Sequence, residues 1–125
     1  MDSILDTIKK MLGVDTADTA FDIDIIMNIN SALMTLNQIG IGLTEGFLII
    51  DNTETWTYFL GEVINLEAVK SHIFLKVKLL FDQPTNPVVL SAMERQVTEL
   101  EWRLNVQVEA GLYIIVEPEG EEDYG

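Results

Sequence analysis

The 125-residue chain has no cysteine, and this one absence excludes disulfides, thiolate metal sites and thiol nucleophiles together. It has a single histidine, His72, so a histidine-rich metal centre is out of reach within one chain, and a Ser-His-Asp triad would depend on that residue alone. Basic residues are scarce: 7 Lys and Arg stand against 21 Asp and Glu, a formal net charge of −14. Such a chain repels nucleic acid and anionic lipid at range unless it carries a local basic patch. Apolar runs such as Phe47 to Ile50 and Leu112 to Val116 fall far short of the ~20 residues that span a bilayer. The first ten residues also lack the apolar stretch of a secretion signal, and a soluble cytoplasmic protein is expected. What is present is apolar content: 48% hydrophobic residues and a positive mean hydropathy are enough for one domain with a packed core.

Periodicity predicts mostly helix. Asp2 and Ser3 can cap a short amphipathic helix carrying Ile4, Leu5, Ile8, Met11 and Leu12, stopped at Gly13 and short enough to be detachable. After a linker from Val14 to Phe21, Asp22 and Asp24 suit a helix N-terminus. Ile23, Ile26, Ile29, Leu33 and Leu36 give that helix its apolar face up to about Ile39, with Gly40 as the stop. Ile41 to Ile50 reads as a loop entering an extended or buried segment. Asp51 and Glu54 have the spacing of a capping box ahead of a short aromatic helix containing Trp56, Tyr58, Phe59 and Leu60.

From Glu62 to Phe81 a stripe of Leu66, Val69, Ile73, Val77 and Leu80 is widened by Phe74, Leu75, Leu79 and Phe81, which predicts a central helix. A corner follows at Phe81, Asp82, Pro84 and Pro87, where Asn86 can cap and Pro87 fits the first helical position. The next helix, to about Asn105, places Val89, Met93, Val97, Leu100 and Leu104 on one face, and Glu99 to Arg103 is a helix-favouring pair. Beyond Asn105 the pattern alternates. Ala110-Gly111 can turn, and Leu112, Tyr113, Ile114, Ile115 and Val116 favour strand. The expected fold is mainly all-α: a bundle of four to five helices with a helix hairpin at its centre and a short C-terminal β-strand or hairpin. Residues 1–105 form the helical domain, and 106–125 form an arm ending in an acid-rich tail. The core list is Leu66, Val69, Ile73, Val77, Leu80, Met93, Val97, Leu100 and Leu104.

Tests for chemistry fall short. His72 lies in the apolar helix beside Val69, Ile73 and Lys76, and without a Gly-x-Ser-x-Gly elbow it reads as a structural histidine with a local hydrogen bond. Gly40-Ile-Gly42 follows a helix and has Glu45 where a dinucleotide fingerprint needs a small residue. Ala17 and Thr19 occupy ligand positions of any calcium loop in Asp15 to Asp24. Lys70, Lys76 and Lys78 point to different sides of a helix and read as partners of nearby acids such as Glu67. Trp56 and Trp102 suit core or interface anchors. No catalytic, cofactor-binding or metal-binding residue is assigned, and no enzyme is expected. The uncharged stripe Asn28, Ser31, Thr35 and Gln38 can lie against another subunit without desolvating ions, with Trp56 as an anchor. Leu112 to Val116 can add to a partner's sheet edge.

Two runs say more: Asn65 to Pro84, reading NLEAVKSHIFLKVKLLFDQP, and Ala92 to Leu104, reading AMERQVTELEWRL. With Thr55-Trp56 ahead of an aromatic helix and the Asp-rich segment leading into Ile25 to Asn30, the chain resembles the head–tail connector, or adaptor, proteins of long-tailed bacteriophages and of prophages in Gram-positive bacteria. The resemblance covers about residues 4 to 105. It implies a small helical bundle that adds as a ring, typically of twelve copies, beneath the portal of a DNA-filled head and carries the stopper or tail-completion protein. DNA would pass through without specific binding and no membrane would be involved. Assembly would take place in the host cytoplasm, and the mature place would be the head–tail interface of the virion. The alternative is a cytoplasmic, non-enzymatic scaffold or regulatory module that binds a protein through its C-terminal strand.

Overall fold

Ser3 opens the first helix with its hydroxyl accepting a hydrogen bond from the Asp6 amide at 3.2 Å, which satisfies one of the free N–H groups of a helix start. The computed structural model describes residues 3–42, 46–60 and 66–109. Within them lie five helices: α1 (Ile4–Leu12), α2 (Asp22–Ile39), α3 (Trp56–Leu60), α4 (Leu66–Phe81) and α5 (Pro87–Glu109). Helix α1 is no detachable appendage. Its Ile4, Leu5 and Ile8 are buried in the common core, the Ile4 amide donates to the Glu54 carbonyl at 3.1 Å, and Trp56 Nε1 donates to Thr7 Oγ1 at 3.1 Å.

Helix α2 buries Ile25, Ile29, Ala32, Leu33 and Leu36 and ends at Gly40, whose amide reaches the Leu36 and Asn37 carbonyls. Its apolar seam therefore runs through Ile25 and not through the expected Ile23, which is 75% exposed. From Leu48 to Ile50 burial alternates, with Ile49 turned into the core and Leu48 and Ile50 turned out. Phe47 stacks on Phe59 with ring centroids 5.1 Å apart. At Gly42, φ is +96°, and a Cβ would stand 2.5 Å from Phe59, so this turn requires glycine.

Asp51 and Glu54 do interact with neighbouring backbone, but as a turn and not as the expected helix cap. The Glu54 carboxylate accepts from the Ile50 and Asp51 amides, and Asp51 Oδ1 accepts from the Thr53 amide and hydroxyl. The residue that caps α3 is Thr55, whose hydroxyl accepts from the Tyr58 amide.

Helix α4 is central and touches α1, α2 and α5, which is why Val69, His72, Ile73, Leu75 and Val77 are buried on more than one side. Leu66 is half-buried. Leu80 departs from expectation: it is 58% exposed, because Phe81 turns inward at that end and meets Phe21 edge-on at 5.6 Å. At the corner, Asn86 Oδ1 accepts from the Val88 and Val89 amides, Pro87 is the first helical residue, and Asp82 pairs with Lys78 at 2.8 Å.

Helix α5 buries only Val97 and Leu104, while Met93 and Leu100 are half-buried. It does not end near Asn105. Val106 to Glu109 continue the helix through the expected boundary at 105/106, and Val108 packs on the core beside Gly40. The strand preference of valine is weak and gives way where helix packing is available. The bundle of helices is as expected. The strand over Leu112–Val116 and the acid-rich tail lie outside the described residues.

Candidate functional site

Two polar arrangements sit at helix junctions. Lys9, in the last turn of α1, is 1% exposed. Its Nζ donates to the carbonyls of Thr16 and Asp18 at 3.1 and 2.7 Å and to Asp22 Oδ1 at 2.7 Å. The ammonium thus ties α1, the 14–21 linker and the start of α2 together, with every proton directed at an oxygen. The second arrangement joins α4 to α5. His72 is fully buried and its Nε2 lies 2.8 Å from Glu101 Oε2, which also accepts from Lys76 Nζ at 3.4 Å. Burial lowers the His72 pKa, and the Glu101 hydrogen bond and charge oppose that shift in part. A neutral imidazole donating from Nε2 to a carboxylate is a helix-to-helix tie. Its ring is closed to solvent, so it has no access to a substrate.

The three lysines of α4 are separately engaged. Lys70 lies 3.8 Å from Glu67 and sits over the Trp56 ring at 5.4 Å, Lys76 reaches Glu101, and Lys78 reaches Asp82. They do not present a common basic face. Among the described residues no three His, Asp or Glu side chains are grouped closely enough to hold a metal ion, and no helix is long and apolar enough to cross a membrane. A cleft between α4, α5 and Met11, lined by Ser71, Phe74, Gln96, Glu99, Leu100 and Arg103, leaves Leu100 half-open and is edged by the Arg103–Glu99 ion pair at 2.7 Å.

The surface of α2 is of a different kind. Ser31 and Gln38 are exposed, while Asn28 and Thr35 are half-buried. Thr35 Oγ1 is already an acceptor for Lys76 Nζ at 3.3 Å. Trp56 is not available at this surface: it is 1% exposed, packed in its own chain's core and hydrogen-bonded to Thr7. The features that sequence reasoning missed are apolar. Met27, Met34 and Ile23 are 64%, 56% and 75% exposed on the outward side of α2, interleaved with Ser31 and Gln38.

Beside them lie Leu48 and Ile50, held in place by Asn30. The Asn30 side chain accepts from the Ile49 amide at 2.8 Å and donates to the Ile49 carbonyl at 3.0 Å, a two-point clamp of the 47–50 segment onto α2. Leu33, Met34, Asn37, Gln38, Phe47 and Leu48 line an open groove between the two. The signal for this face was in the sequence, since between Asp24 and Asp51 the chain holds one charged residue, Glu45. An exposed apolar patch without charge, on a chain of net charge −14, can contact another protein without desolvating ions or opposing like charges.

Comparison with known proteins gives one finding of family. A family model described as phage connector protein matches residues 4–111 of the chain. Neither the curated proteins nor the solved structures contain a match.

Proposed function

The chain belongs to the phage connector protein family, and from that premise we propose that it is a structural subunit of the head–tail junction that assembles as a ring beneath the portal. In this reading the ring frames the DNA channel and offers a platform for the stopper or tail-completion protein. The observation that carries it is the uncharged outer face formed by Met27, Ser31, Met34, Gln38, Leu48 and Ile50. Contacts around a ring are heterologous, one patch against a different patch of the next copy, and copies of net charge −14 repel each other least where acids are absent. The half-buried Asn28 and Thr35 lie at the edge of that face. Helix α5 offers a second apolar surface in Val88, Val89, Trp102 and Val106, all exposed. Acids elsewhere on the subunit would give a lumen that repels phosphate and lets DNA slide. Leu112 to Val116 would serve as an arm available to partners.

Mixing the protein with portal rings and imaging the product by electron microscopy tests the reading. Wild-type protein should add a ring to the portal. Met27→Glu combined with Ile50→Glu should stay folded by circular dichroism and fail to add. A wild-type protein indifferent to the portal, or a double variant that assembles normally, would overturn the proposal.

A further inference from the structure

We propose that the outward stripe of α2 receives the outward stripe of α5 from a second copy, with the two helices running in the same direction and held in register by Asp24 and Arg95. The inference rests on the assembly described above and names the two surfaces that meet. On α2, Asp24, Met27, Ser31 and Met34 follow one another at intervals of three, four and three residues, and all four are exposed. On α5, Arg95, Thr98, Trp102 and Asn105 repeat the same intervals and are likewise exposed. Such spacing holds side chains on one side of a helix, and two matching stripes can interlock.

The intervals read the same in both directions, so charge and size choose between them. In parallel, Arg95 meets Asp24, and the exposed Trp102 ring meets Ser31, a small residue between Met27 and Met34. Antiparallel, Arg95 would meet Met34 and Asp24 would meet Asn105, which leaves both charges unmatched. Neither Asp24 nor Arg95 has a hydrogen-bond or ion-pair partner among the described residues, whereas Lys9, Lys70, Lys76, Lys78 and Arg103 are all engaged within the chain. A second α5 is a poorer occupant than α2 for this stripe: Glu94 and Glu99 flank it, while α2 carries no charged residue after Asp24. Within one chain α2 and α5 already point the same way. The start of α2 lies at the corner that leads into α5, where Phe21 meets Phe81, and a Cβ on Gly40 at the other end of α2 would stand 3.2 Å from Val108 of α5. Rotation about an axis along these helices keeps that direction, so neighbours in a ring would meet in parallel.

Because the chain has no cysteine, single cysteines report the register. Full-length Met34→Cys protein carrying a size tag is mixed with Asn105→Cys protein or with Thr98→Cys protein, whose site lies about 10 Å away along the same stripe. Oxidation is followed in concentrated protein alone and on portal rings. In at least one setting the mixed disulfide with Asn105→Cys should form about tenfold faster than that with Thr98→Cys. Asp24→Arg in the Met34→Cys copy, or Arg95→Asp in the Asn105→Cys copy, should leave helix content unchanged and slow the link about fivefold, and the two together should restore it. Four results would overturn the proposal: faster linking to Thr98→Cys, which marks the antiparallel contact; Met34→Cys linking mainly to itself; no preference in either setting; or a doubly charge-reversed pair as slow as the single ones. Electron microscopy of the same samples separates the two readings. Rings that add to portal without the Asn105→Cys link refute this pairing alone, and the link formed by protein that ignores portal refutes the portal ring alone.

Discussion

Lys9 offers the sharpest check on the energetics of this fold. Replacing it with methionine keeps the length and volume of the side chain but removes a buried ammonium that donates to Thr16, Asp18 and Asp22 at 2.7 to 3.1 Å. Breaking one side of a buried ion pair costs ~3–5 kcal/mol, because the partner keeps its charge without compensation. Asp22 is 24% exposed and can recruit water, so the working figure falls to ~2–3 kcal/mol. For a chain of this length, each kcal/mol moves the melting temperature by about 4 °C, which gives a drop of roughly 10 °C. Urea unfolding followed by circular dichroism should show a lower midpoint at unchanged slope. Lys10, its exposed neighbour in the same turn, should tolerate alanine within ~0.5 kcal/mol. Asp22→Asn should cost less in the Lys9→Met background than in the wild type. A Lys9→Met protein as stable as the wild type, or a Lys10→Ala loss of equal size, would refute the reasoning.

Three further outcomes are expected. His72 has a folded pKa below its unfolded value of 6.5, chiefly through burial, so the folded chain binds fewer protons; stability present above about pH 6.5 should be lost as pH falls towards the folded pKa. The urea midpoint should therefore decline in the wild type between about pH 7 and pH 5.5 and decline less in His72→Gln; parallel profiles would contradict this. Ile73→Ala should cost ~2–5 kcal/mol by opening a cavity around a fully buried side chain, whereas the exposed Leu80→Ala should stay within ~0.5 kcal/mol, and equal losses would contradict the observed packing. Asn30→Ala should cost ~1–3 kcal/mol and speed hydrogen exchange at the Ile49 amide, and unchanged protection there would show that the clamp does not hold the segment.

The periodic signals read well where one residue type acts within one turn of chain. Gly13 and Gly40 close helices, Asn86 and Pro87 open α5, and Ser3 caps α1, all through local backbone geometry. Signals that depend on what packs opposite did not read as well. Asp51 and Glu54 have capping-box spacing, yet their carboxylates close a turn ahead of Thr55. Leu80 shares the angular stripe of Ile73, yet no partner covers it at the corner. Val106 and Val108 alternate like a strand, yet Val108 finds the core as part of a helix. The surface suggested by Asn28, Ser31, Thr35 and Gln38 was legible as a lack of charge, but its apolar members Met27, Met34, Leu48 and Ile50 were not, because outward and inward apolar residues look alike along the chain.

The amino-acid sequence by itself determined that the chain is helical, the stops at Gly13 and Gly40, the tight corner before Pro87 and the strongly acidic character, since each follows from short-range sterics, periodicity or counted charge. Only the tertiary structure decided that Lys9 would be enclosed by carbonyls from a linker seven and nine residues away and that His72 would meet Glu101 across two helices. It also decided that Trp56 would vanish into the core while Met27 and Met34 of α2 faced outward. The reason is physical: backbone preference is fixed within a turn, but burial and pairing depend on which distant surface arrives, and that is set when the helices pack.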